Sequence, residues 1–60
     1  MKLKNKEAWE YNNKELNFIY EVALKNNFKG DFLAFKYEFF HCSEVFLELC
    51  GVKINYYKGN

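Results

Sequence analysis

The side chains best equipped for chemistry stand together in His41-Cys42-Ser43, which holds the only histidine and the only serine of the chain. A nucleophile and its base must meet through space with their side chains aligned. Adjacent residues on a helix point about 100° apart, and on a strand they face opposite sides of the sheet. No Asn or Asp stands where it would orient the imidazole, as a hydrolytic triad requires. A surface or hydrogen-bonded histidine is the simpler reading, and no enzymatic role is expected.

Metal binding has a similar shortfall. His41, Cys42 and Cys50 offer three ligands at most, without the paired C-x-x-C spacing of a zinc site. A complete site would have to be shared with a second copy. The simpler expectation is that both cysteines fill space as small apolar residues. If residues 31–50 are helical, their sulfurs lie about 12 Å apart along the axis, too far for a disulfide. If the stretch is a hairpin, Cys50 faces the region of Phe35 instead. Two buried free thiols are expected, with no metal and no cofactor. Glu44 and Glu48, four apart, read as a solvated face because no histidine or third acid accompanies them.

A nucleic-acid reading rests on Lys2, Lys4 and Lys6, which alternate in "MKLKNK". Such an arm can make salt-sensitive phosphate contacts, although solvated lysines at a terminus are commoner. The chain has no Arg, so it lacks the planar fork used to read guanine or phosphate. A helix–turn–helix would place "SEVFLELC" in the groove, an acidic and apolar segment unsuited to base edges. A small nucleic-acid-associated regulator is therefore kept as the alternative function.

Composition points elsewhere. The 60 residues carry 7 Phe, 5 Tyr and 1 Trp, half the chain is hydrophobic, and the net charge is +1. That is not the signature of disorder, and the balanced charge argues against a polyanionic DNA mimic. A chain this short buries only about 60% of the surface its unfolded form exposes. Surplus apolar surface on so small a domain marks an oligomer or partner interface. Lysine without arginine, beside eight Asn, suggests an AT-rich genome such as that of a low-GC bacterium or its phage. No apolar run follows the basic start, so no secretory signal is read. Lys36, Glu38, Glu44 and Glu48 interrupt the apolar stretch before it could span a membrane. A cytoplasmic protein in a bacterial host cell is expected.

The elements that must position these residues divide at glycines 30 and 51. Residues 1–12 read as an N-terminal arm. Residues 13–28 read as a helix, with Asn13 able to cap it. Glu15 and Lys25 suit its two ends, and Leu16, Ile19, Tyr20, Ala23 and Leu24 form its apolar stripe. Residues 31–50 fit two templates. As a helix, Phe32, Phe35, Phe39, Cys42, Phe46 and Leu49 form a complete heptad seam, with Asp31 capping the start and Gly51 suiting the end. As a hairpin, Leu33, Phe35, Tyr37 and Phe39 alternate with Lys36 and Glu38, and Val45, Leu47 and Leu49 with Glu44, Phe46 and Glu48. The reversal at "HCSE" contains no turn-forming Gly, Asn, Asp or Pro, which favours helix. A break at Ser43 with a separate short helix over 44–50 is a variant of it. Residues 52–58 alternate and read as an extended segment.

The expected fold is mostly α, a small helical hairpin with an extended C-terminal segment, dimerised to cover its apolar face. The alternative is α+β, one helix on a small antiparallel sheet over residues 32–57 with a free edge. The expected function is a non-enzymatic protein-binding module that docks onto a larger protein and inhibits or modulates it. By class-level analogy, it suits a phage or mobile-element inhibitor of a bacterial host or defence protein. A structural subunit of a larger assembly is the third possibility. Trp9, Tyr11, Phe40, Tyr56 and Tyr57 are the candidate partner-binding residues, because Tyr and Trp dominate binding hot spots and Phe40 falls outside the heptad seam.

Overall fold

The computed structural model of the chain describes residues 3–53. It is mostly helical: a 3-10 turn at Ala8–Glu10, then α1 (Asn13–Lys25), α2 (Phe32–His41) and α3 (Ser43–Leu49). No strand occurs among the described residues, so the one-helix-on-a-sheet alternative finds no support. The 52–58 segment, with Tyr56 and Tyr57, lies largely outside the described residues.

Each boundary has a local cause. At the start of α1, the Asn12 side chain accepts from the Glu15 N–H at 2.8 Å, and the Glu15 carboxylate accepts from the Asn12 N–H at 3.0 Å. This capping box needs a glutamate three residues after the cap. That requirement selects Asn12 over Asn13, the cap expected from the sequence. The helix ends at Lys25, three residues earlier than expected, because Asn27 takes a left-handed conformation (φ 75°). There the N–H groups of Asn27 and Phe28 turn back to the carbonyls of Leu24 and Ala23. Asparagine is among the few residues that adopt this conformation readily.

Asp31 caps α2 as expected, its carboxylate accepting from the Ala34 N–H at 2.9 Å. Gly51 (φ 85°) closes α3 with the same device as Asn27: its N–H and that of Val52 return to Glu48 and Leu47 at 3.0 Å each. Between these ends, residues 31–50 form neither one helix nor a hairpin. Cys42 alone leaves helical dihedrals (φ −136°, ψ 55°) and separates α2 from α3. The break falls one residue before the expected one, and Cys42, not Ser43, occupies the cap position.

The break changes which residues face inward. Leu47, expected off the seam, is buried with Phe46, whereas the seam members Cys42 and Leu49 are exposed. A continuous helix would keep the 42–46–49 register; the bend rotates α3 so that two adjacent residues point to the core. There they meet Leu16, Ile19 and Ala23 of α1 and Phe35 and Phe39 of α2. Phe35 lies at the centre, its ring edge-to-face with Phe46 (5.2 Å, 83°) and stacked with Phe39 (5.6 Å). Aromatic pairs of this kind add about 0.5–1.5 kcal/mol beyond their buried area.

The N-terminal segment contributes to this core. Ala8 and Tyr11 are buried in it, and Leu3 packs on its edge. The Tyr11 ring stands edge-on to Phe39 at 5.6 Å. Its hydroxyl donates to the Lys4 carbonyl and accepts from the Lys6 N–H. Tyr11 is thus one of several contacts that tie residues 3–12 down.

Candidate functional site

Helix α2 reads "FLAFKYEFFH", apolar around most of its circumference. Phe35 and Phe39, four apart, take the inner face and are fully buried. Leu33, Tyr37 and Phe40 recur at i, i+4 and i+7 on the opposite side. They stay 72%, 70% and 53% exposed. With Asp31 and Ala34 they line a shallow apolar groove of about 380 Å³, open where alanine is short between its larger neighbours.

The groove is held in place from beneath. Phe40 leans on buried Phe39 (6.2 Å between ring centres), and the Tyr37 ring meets the His41 ring edge-on at 5.4 Å. On one flank the Lys36 ammonium lies over the Phe32 ring at 5.2 Å, leaving a positive charge beside the stripe. Asp31 is occupied as the helix cap.

The candidate partner residues fall into four groups. Phe40 belongs to this groove. Trp9 projects from the 3-10 turn, 73% exposed, and does not line the groove. Tyr11 is only 5% exposed, because its ring fills the space against Phe39 and its hydroxyl bridges Lys4 and Lys6. Tyr56 and Tyr57 lie outside the described residues. Sequence reasoning missed Leu33 and Tyr37, which figured only in the competing strand template. A helical projection of residues 32–41 contains the signal: two apolar stripes on opposite faces where a surface helix has one.

A second cleft, about 550 Å³, opens between residues 5–10 and the start of α3 at Ser43, Glu44 and Leu47. Its character is polar and mixed in charge. Lys6, the one ammonium lining it among the described residues, is held by both carboxylate oxygens of Glu15 at 3.1 Å each and lies 5.0 Å from the Tyr11 ring centre. The Asn12 backbone N–H and the Lys6 ammonium together hold the Glu15 carboxyl below the usual carboxylate range. Lys6 therefore serves the fold, and it is one of the three lysines of the expected basic arm.

Cys42 and Cys50 are both free. Cys42 is exposed at the helix break rather than buried, and Cys50 is half-buried, with its thiol pushed up by burial. A raised thiol holds little of the nucleophilic thiolate. No group of three metal-ligating side chains gathers among the described residues. No helix among them is long and apolar enough to cross a membrane. Comparisons with protein families, with curated proteins and with solved structures found no match.

Proposed function

We propose that the chain is a non-enzymatic docking module that inhibits or modulates a larger protein by laying the outer face of α2 into an apolar cleft on it. The observation that carries this reading is the exposure of Leu33, Tyr37 and Phe40 on a helix whose inner face already fills the core. Together they expose on the order of 400 Å² of apolar surface, a size typical of functional patches on monomers. Their i, i+4, i+7 spacing is that of a helix seated in a groove. Lys36 on the flank favours a cleft with acidic groups along one rim. Inhibition would be steric, with Trp9 as a second anchor outside the groove. A bacterial host or defence protein, met by a phage or mobile-element inhibitor, is the target class that fits the size and the AT-rich composition. Self-association belongs to the same reading.

The test is affinity capture from the lysate of the source cell with two baits, the wild-type chain and Tyr37→Lys. We expect one defined protein to be retained by the wild type and lost with Tyr37→Lys, while both baits melt alike. Identical retention by both would overturn the role given to α2. Salt-sensitive DNA binding that survives Tyr37→Lys would instead favour the nucleic-acid alternative.

A further inference from the structure

Helices α2 and α3 are separated by one residue, and that residue is no helix breaker. Residues 32–49 contain neither Gly nor Pro, yet Cys42 leaves the helix. The other helix starts have a side-chain cap, Asn12 for α1 and Asp31 for α2. At the start of α3, Cys42 makes no side-chain cap bond, and the Val45 N–H reaches back only to the Cys42 carbonyl at 3.2 Å. The apolar spacing also runs through the break: Phe32, Phe35, Phe39, Cys42, Phe46 and Leu49 continue one helical seam. Local sequence therefore favours a single straight helix over residues 32–49. Tertiary packing opposes it, because only the bend lets Phe46 and Leu47 reach the core of the same chain.

From this conflict we infer that the chain dimerises by exchanging α3. With Cys42 helical, α2 and α3 run straight, and α3 of each copy occupies the place that α3 of the other would fill. Every core contact of Phe46 and Leu47 is then kept, now between copies, and the N–H groups of residues 43–45 gain the hydrogen bonds of an unbroken helix. Short hinges that oppose local preference invite this kind of exchange. The arrangement is two-fold symmetric, and the occupant of each core is a second copy of this chain. It deepens the self-association part of the proposed function, and it leaves the Leu33–Tyr37–Phe40 face of both copies free for a target.

The test is refolding from denaturant at millimolar and micromolar concentration under reducing conditions, followed by gel filtration with light scattering. We expect a slowly dissociating dimer at the higher concentration. Cys42→Ala favours helix at both hinges and should raise the dimer association constant roughly tenfold. Ser43→Pro suits the first position of a separate helix and not a helix interior, so it should leave monomer only. Cys42→Asp, which supplies the missing cap, should act in the same direction and covers the case in which the proline impairs folding. Tyr37→Lys should leave the dimer fraction unchanged. Monomer throughout, or equal dimer in Cys42→Ala and Cys42→Asp, would overturn the exchange without touching the docking reading. Loss of the dimer in Tyr37→Lys would also overturn it, by placing self-association on the outer face.

Discussion

The two faces of α2 are built from the same kinds of residue and have opposite environments. Phe35 and Phe39 look inward and have no accessible surface; Leu33, Tyr37 and Phe40 look outward and keep more than half of theirs. The rest of the molecule accounts for the difference. Leu16, Ile19 and Ala23 of α1, Phe46 and Leu47 of α3, and Tyr11 close over the inner face. Among the described residues no further element covers the outer one. Hydrophobicity alone therefore does not assign a residue to the core; the supply of neighbours does.

The largest expected effect is on the inner face. Phe35→Ala or Phe39→Ala should cost about 3–5 kcal/mol, close to the whole stability expected of so small a domain. Loss of a cooperative thermal transition in circular dichroism is the expected result. A mild shift would mean that the inner face is no better packed than the outer. Next comes Tyr11→Phe, which removes the hydroxyl bridging the Lys4 carbonyl and the Lys6 N–H. We expect a loss of about 1–3 kcal/mol, read as a lower urea midpoint. No change would release Tyr11 from the fold and return it to the partner-binding set.

Asp31→Ala should cost about 1 kcal/mol, the usual worth of a side-chain cap. It should weaken α2 as a whole, so that amide exchange rises around Leu33 and Phe35 together. The smallest effect is pH-dependent. Hydrogen bonding from Asn12 and pairing with Lys6 depress the Glu15 carboxyl from an ordinary value of 4.5. A depressed carboxyl contributes stability that is present above the unfolded value and is lost as pH falls through the folded one. Wild-type stability should therefore dip slightly below pH 4.5, and Glu15→Gln should flatten that part of the profile. An unchanged profile would remove the Lys6–Glu15 pair from the set of contacts that hold the N-terminal segment.

Much of the fold was legible in the sequence because local rules agreed there. The Asp31 cap, the Gly51 stop and the Leu16–Ile19–Ala23 stripe each follow from residue type and spacing. Misreadings arose where two local rules competed or where tertiary packing overrode one. Asn12 and Asn13 can both cap a helix, and only the partnership with Glu15 separates them. A break was weighed at Ser43 only as a variant, because no breaker residue announces the bend at Cys42, and the inward turn of Leu47 was hidden with it. Of the exposed outer face of α2, Phe40 was legible because it sits off the heptad seam. Leu33 and Tyr37 were obscured because alternation with charged residues also describes a strand. The burial of Tyr11 was not legible because an amphipathic ring with a polar tip suits an interface and a buried tether equally well.

The contrast between the two faces is tested most directly by the urea midpoint of the triple variant Leu33→Ala, Tyr37→Ala, Phe40→Ala. Alanine is the best helix former and creates no cavity where the side chains were exposed. We expect the variant to unfold cooperatively with a midpoint equal to or slightly above that of the wild type. A fall comparable to that of Phe35→Ala would show that the outer face is part of the core and contradict its assignment as a docking surface.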